Sequence, residues 1–315
     1  MRKIITIGES TYQIHFSGNN PRCSFPGGVI LNATASLAMS GIDTFMVSET
    51  ACDYFGNQIA DYLKNAGVDT KSLDRFTEGA TTLDIYTPTG VMQYGTYPAD
   101  RFNVVWPRID ENDIVIFGGF YALDASLRER LFEMVKYARE RKAIIIYLPG
   151  FPHHPNLRIT KVMTAILENL EVSNLVIASR EHILDIFGSE DASHVFKSNI
   201  EFYCPNFICL DEGNAHIFAS GKTGSIAIND KARDNEIAAD ASFLAGTAFS
   251  IINNDIACTA IDSTPFDTWL KIAEEGVRFA ANTAHDSRTI DAAFAARQAA
   301  DIAPHLSFQP KNFPL

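Results

Sequence analysis

The second half of the chain alternates short, apolar, β-branched runs with helical segments, and this rhythm restricts the fold more than any other feature. Ile114 to Phe117 reads as a buried strand ending at Gly118–Gly119, Asp124 to Arg141 as a helix, and Ala143 to Tyr147 as a strand ending at Pro149–Gly150. Residues 158–170 and 181–187 read as helices separated by a strand from Leu175 to Ala178, and Phe207 to Leu210 and His216 to Ala219 as strands around an acidic turn at Asp211 to Asn214. Strands this uniformly apolar need cover on both faces, and helices between them let them run parallel. The expectation is a mostly parallel sheet with helices on both sides, with ligands beyond the carboxyl ends of its strands.

The first third predicts a strand over residues 3–9 that stops at Gly8–Glu9, and another from Thr11 to Phe16. Pro21, Pro26 and Gly27–Gly28 then punctuate the chain before the helical run VILNATASLAMSG, which ends near Gly41. Thr44 to Val47 reads as a strand, and Asp53 to Ala66 as a helix with Asp53 as N-cap and Gly67 as its stop. Thr81 to Tyr86 and Val91 to Tyr97 flank a Pro88–Thr89–Gly90 turn and predict a hairpin, either a cover over a pocket, an oligomer surface or an ordinary surface element. The last third is mostly helical, with helices after Asp240, from Pro265 to about Asn282, and from Thr289 to Ala299. The expected organisation is one α/β domain over residues 1–315 carrying a small β insertion from residues near 10–25 and 80–103.

Composition narrows the function classes. The formal net charge is −12, with no run of Lys or Arg to track phosphates, so nucleic acid is a poor partner. An anionic small ligand stays open, because a helix terminus can bind one against the global charge. The five cysteines, Cys23, Cys52, Cys204, Cys209 and Cys258, show neither CxxC nor paired Cys/His spacing and suit a reducing compartment. No apolar run has the length of a signal peptide's core plus flanks or of a membrane span, so the expectation is a cytoplasmic location and no membrane partner.

Asp240 is the leading candidate for chemistry. It is expected at or just before the first turn of a helix packed through Phe243, Leu244, Ala248 and Phe249. A carboxylate there either caps backbone N–H groups or serves as a general base over a pocket. Asn32, on the first turn after Gly27–Gly28, either bonds a polyol or its own backbone. Other motifs fail: Gly221–Lys222–Thr223 lacks the first glycine of a P-loop because His216 stands there, and His153–His154 has no HExxH context. The acidic group Glu181, Asp185, Glu190 and Asp191 is either a magnesium lure or a solvated face, and the metal ligands stay unassigned.

Together, Gly8–Glu9, Gly27–Gly28 with Asn32, the GIDT…ACDYFG…L…AGVDT run over 41–70 and the DxxxxxDASFLAG segment over 234–246 resemble the ribokinase-like, or PfkB, carbohydrate kinase family. The resemblance implies a three-layer α/β/α sandwich with a small β lid, and transfer of the terminal phosphoryl of ATP, with Mg2+, to a hydroxyl of a small-molecule sugar or nucleoside. It also admits a homodimer through the lid. It implies Asp240 as base, Gln13, Gly27, Gly28 and Asn32 at the substrate, and Ala238, Ala239, Ala241 and Asn282 at the nucleotide. The chain departs from the pattern at several places. DNEIAAD over Asp234 to Asp240 keeps two acids but puts Ile237 and Ala239 where the family has glycines, and Gln13 replaces a sugar-contacting Asp. Leu148 to Pro152 loses the polar positions of DPNxR, Ser179 to His182 loses both named residues of NxxE, and Cys209–Leu210–Asp211 replaces a Thr–Leu–Gly turn. The losses concentrate on the ATP side, so a noncatalytic sugar-binding or regulatory protein with the kinase fold is the alternative.

Overall fold

The computed structural model describes residues 2–150, 158–228, 236–283 and 288–302, and within these it leaves the side chains of 236–238 undescribed. His153, His154 and Asp234 therefore lie outside the described residues. Strands β1 (Ile4–Ile7), β2 (Thr11–Ser17) and β3 (Asn20–Gly27) precede helix α1 (Val29–Met39); β4 (Thr44–Ala51), α2 (Tyr54–Asn65), β5 (Leu73–Phe76), β6 (Ala80–Thr87) and β7 (Gly90–Thr96) follow. The alternating half comprises β8 (Ile114–Gly118), α3 (Arg128–Glu140), β9 (Ile144–Leu148), α4 (Ile159–Val172), β10 (Leu175–Ser179), α5 (Arg180–Phe187) and α6 (Ala192–Val195). Then come β11 (Phe207–Leu210), β12 (Asn214–Ala219), β13 (Lys222–Ala227), α7 (Glu236–Asn253), α8 (Phe266–Ala281) and α9 (Ala292–Asp301).

Among the described residues, nine strands form the main sheet in the order β13-β12-β11-β10-β9-β8-β1-β4-β5. Pairing is parallel from β5 across to β11 and antiparallel through β12 and β13. Ile4, Ile114, Ile144 and Ile208 point to a core shared with α1, α7, α8 and α9. Ile5, Val115, Ile145 and Phe207 point the other way, to a core shared with α3, α4 and α5. Burying a side chain of this size contributes about 1.5–3 kcal/mol, so the unbroken apolar strands pay off only when both faces are covered. This is the α/β/α sandwich.

Four further strands form a separate sheet, β3-β2-β6-β7, the lid. Its cross-strand pairs sort its side chains by face. Tyr12, Ile14 and Leu83 pack toward Ile59 and Leu63 of α2. Gln13 pairs with Phe25 and Asp84, and His15 with Cys23 and Tyr86, so these six share the opposite, polar face. Strand β3 is absent from the sequence expectation because Pro21 and Pro26 read as punctuation; it is an edge strand, where a missing N–H costs no ladder bond. The short strand β5 and the outer strand β13 were not anticipated either.

Asp53 fastens the lid to the body. As N-cap of α2 it accepts from Gly56 N at 2.8 Å, and it also accepts from Thr81 N at 2.8 Å and Thr81 Oγ1 at 2.7 Å in β6. Gly56 is needed there, because a Cβ would sit 1.9 Å from the Ala51 carbonyl oxygen.

Candidate active site

The residues expected at the substrate come together where the lid meets the first turn of α1. Gln13 is 6% exposed; its Nε2 donates to Tyr86 Oη at 3.2 Å, and its Oε1 has no partner among the described residues. Gly27 makes room for it, since a Cβ on Gly27 would lie 2.2 Å from Gln13 Cδ. Gly28 opens α1 at φ 125°, ψ 132°, and a Cβ there would meet the Glu9 carbonyl oxygen at 2.8 Å. Asn32 is buried, its Oδ1 accepting from Tyr62 Oη at 3.0 Å.

Three groups in this region were missed by sequence reasoning. Glu9, two residues past β1, sets its carboxylate over Gly119, where a Cβ would lie 2.5 Å from Glu9 Oε1, and it accepts from Tyr121 N at 3.4 Å. Burial pushes its carboxyl up, the backbone N–H groups of Glu9, Phe120 and Tyr121 oppose this, and Asp84 on the lid adds to it. His15 stacks between Phe25 and Tyr86, with centroids at 5.0 and 4.3 Å, and burial together with Arg288 and Arg22 lowers it to about 4, so the ring is neutral at physiological pH. Arg288, between α8 and α9, holds its guanidinium 3.4 Å from the Phe25 ring centroid. Only the position of Gly8–Glu9 after the first strand signalled any of these in advance.

Asp240 stands in a second cluster, toward β10 and β11. Helix α7 starts at Glu236, so Asp240 is its fifth residue, in the second turn, which corrects the expectation of a place at or before the first. The cap role falls away, because an N-cap precedes the helix. Burial pushes the Asp240 carboxyl up from the ordinary carboxylate range; the His182 charge opposes this and Glu181 reinforces it. The same helix start alters the nucleotide expectation. The N–H groups of Ala239, Asp240 and Ala241 take carbonyls one turn back in a regular helix starting at Glu236, so of the expected nucleotide positions only Ala238 keeps an N–H without an intrahelical acceptor. Ala241 is fully buried in the core beneath. Asn282 is the C-cap of α8, and its Nδ2 donates to the Arg278 carbonyl at 2.8 Å, so its amide serves the helix end. The next residue, Thr283, donates from Oγ1 to Ser242 Oγ at 2.8 Å, which joins that end to α7 two residues beyond Asp240.

Asp211, Glu190 and Asp191 have structural work. Asp211 Oδ1 accepts from Gly213 N and Asn214 N, both at 2.7 Å, and Oδ2 pairs with His216 Nε2 at 2.6 Å beside a cavity of about 350 Å³. Its carboxyl is pushed up by burial but held below the usual range by these bonds together. The acid in place of the family's glycine thus closes the β11–β12 turn. Glu190 pairs with Arg180, and Asp191 caps α6 through Ser193 N and His194 N. Ser220 and Gly221, at φ 53° and 68°, form the β12–β13 turn, so Gly221–Lys222–Thr223 is a hairpin and no phosphate loop.

A profile describing the pfkB family carbohydrate kinases matches residues 1–241. The chain belongs to this family. Among similar proteins, a 5-dehydro-2-deoxygluconokinase of Geobacillus kaustophilus is 24% identical over 254 residues, 73% of each chain. This pfkB-family chain also superposes on a fructokinase of Xylella fastidiosa solved with bound ATP, with TM-score 0.75 and 15% identity, over 96% of this chain and 99% of that one. An aminoimidazole riboside kinase of Salmonella enterica gives TM-score 0.73 at 13% identity, over 96% and 100% of the two chains. At such identities the two structural likenesses speak for the fold. No helix among the described residues is long and apolar enough to cross a membrane.

Proposed function

We propose that the protein transfers the terminal phosphoryl group of ATP to a hydroxyl of a sugar or related polyol held beneath the lid. The observation that carries this reading is Asp240: a carboxylate in the second turn of α7, within reach of the charges of His182 and Glu181, with its affinity for a proton raised by burial. A base tuned upward takes a hydroxyl proton more readily than an ordinary carboxylate does. Gln13 and Asn32 orient the acceptor, and the N–H groups at the start of α7 face the anionic phosphoryl.

Magnesium would enter with the nucleotide. It takes one or two carboxylates plus phosphate oxygens, and Glu181, whose charge is felt at Asp240, fits that need. Among the described residues no group of three His, Cys, Asp or Glu converges as a resident metal site. The ion supplies neutralisation of phosphate charge; the chain's own share is to hold the hydroxyl, remove its proton and present backbone donors.

The noncatalytic reading keeps one observation in its favour. With α7 starting a turn early and no glycine at 237 or 239, the anion-facing backbone is an ordinary helix end. The test is direct: purified protein with Mg-ATP and a panel of sugars and nucleosides, ADP followed by a coupled assay and product by mass spectrometry. Sugar-dependent ADP and a phosphosugar, both abolished in Asp240→Asn, support the kinase reading. A folded protein that binds sugar and yields neither establishes the binding-protein reading instead. A lid-to-lid homodimer is a further part of the proposal, motivated by Val91, Met92 and Tyr94 exposed on β7; solution mass by light scattering checks it.

A further inference from the structure

We propose that His15 is a specificity-determining residue: its Nε2 hydrogen-bonds a hydroxyl of the molecule held beneath the lid, as the third rung of a row formed by Thr11, Gln13 and His15. This rests on the lid pocket being the acceptor site.

The row follows from the strand itself. Alternate residues of a strand share a face, so Thr11, Gln13 and His15 of β2 lie on one side, and the irregularity in pairing with β3 comes only after His15. Each of the three carries a buried polar atom with no partner among the described residues: Thr11 Oγ1, Gln13 Oε1 and His15 Nε2. The opposite face of the same strand is satisfied. There Tyr12 Oη and Ser24 Oγ share a hydrogen bond at 3.3 Å, and Ile14 has nothing to pair. A buried polar atom without a partner costs the fold its lost hydration, and native structures keep few of them. Three in register on one face call for a common partner. All three are shut off from bulk water, so that partner arrives as a ligand that shifts the lid strand aside. Gln13 and His15 stand about 7 Å apart along the strand, so one small polyol can span them, each hydroxyl both donating and accepting.

The ring of His15 is held so that its edge is available. It stacks on Tyr86 and Phe25 at interplanar angles of 4° and 24°, which fixes the plane in which Nε2 points. Tyr86 Oη also accepts from Gln13 Nε2 at 3.2 Å, so one side chain positions the second and third rungs. Burial, with the charges of Arg288 and Arg22 adding to it, lowers the imidazole to about 4 and leaves it uncharged at neutral pH. A neutral imidazole offers one donor and one acceptor, which suits a hydroxyl. As mere filler between two aromatic rings, phenylalanine would occupy the same space without an unpaired nitrogen.

The experiment replaces His15 by Phe, which keeps the stack and removes the nitrogens, and by Gln, which keeps a donor and an acceptor. Calorimetric melting of the ligand-free proteins comes first: His15→Phe should melt at or above the wild-type temperature, because the atom it removes has no partner. Binding of D-ribose, D-fructose, D-glucose, D-mannitol and adenosine is then measured, with turnover of each in Mg-ATP alongside, and the tightest ligand is retested as its single-deoxy analogues. His15→Phe should weaken that ligand about 5- to 50-fold, with far less effect on KM for ATP, and His15→Gln should recover part of the loss. One deoxy analogue should lose the same factor on wild type and bind wild type and His15→Phe alike, since both changes delete one bond. The assignment is overturned if ligand-free His15→Phe melts lower than wild type, if its affinities are unchanged, if every deoxy loss adds independently of residue 15, or if no member of the panel binds. Coupling to one hydroxyl without turnover would end the kinase reading and leave this one standing.

Discussion

Replacing Arg101 by Met should destabilise the fold by about 3–5 kcal/mol at neutral pH, the cost of leaving one member of a buried ion pair without the other. The structure shows why the cost belongs in that range. The Glu49 side chain is 0% exposed and that of Arg101 13%, so solvent screens the pair little. Arg101 Nε donates to Glu49 Oε1 at 3.0 Å and Nη2 donates to the same oxygen, while Nη1 donates to Asp124 Oδ2 at 2.9 Å. The guanidinium also lies 3.6 Å from the Tyr97 ring centroid, and Tyr97 Oη and Thr82 Oγ1, 2.7 Å apart, bond within the lid. Burial already raises the Glu49 carboxyl, and Arg101 is the main force against that rise. Without Arg101 the folded-state value climbs further above the unfolded value of about 4.3. A carboxyl so shifted leaves stability intact below the unfolded value and erodes it as pH rises through the folded one. The deficit of Arg101→Met should therefore be small near pH 4 and grow toward pH 7.5. Urea denaturation of wild type, Arg101→Met, Glu49→Gln and the double variant measures it. A loss below about 1 kcal/mol, the level of an exposed pair, or strictly additive single losses, would refute the reasoning.

Further predictions concern the site and its frame. Asp240→Asn should lower turnover about 10²- to 10⁴-fold, and the acid limb of kcat/KM in the wild type should lie above the ordinary carboxylate range; pH–rate profiles check both. Because the Asp240 carboxyl is raised by burial, its charge costs stability as pH rises through the folded value, so Asp240→Asn should melt higher than wild type at neutral pH, which calorimetry measures. Gly27→Ala puts a Cβ 2.2 Å from Gln13 Cδ and should raise KM for the acceptor by roughly tenfold with less effect on KM for ATP, as expected when uniform ground-state binding is lost on one side. Asp53→Ala removes the α2 cap and its bonds to Thr81 and should cost about 1–2 kcal/mol in urea. Its carboxyl is raised by burial but lowered overall by those hydrogen bonds, so this contribution is present above the unfolded value and lost as acid is added.

Sequence alone determined the elements whose physics is local. The apolar runs at Ile114, Ile144 and Leu175 required two-sided burial, and Asp53 and Gly67 bounded α2 through the N–H it accepts from Gly56 and a φ of 92°. The 81–97 hairpin and the Asp211 turn were legible for the same reason: side chain and backbone partner lie within a few residues. Tertiary structure alone decided the rest. It made a strand of a proline-bearing segment by giving it an edge to lie on, and it drew α7 back to Glu236, carrying Asp240 into the second turn. It also used Asp211 and Asn282 for a turn and a helix end, and brought Arg288 to the face of His15 and Phe25. Periodicity reports how much of a residue is buried, but not which distant residue covers it; that choice is made by the packing of α1 against the returning chain.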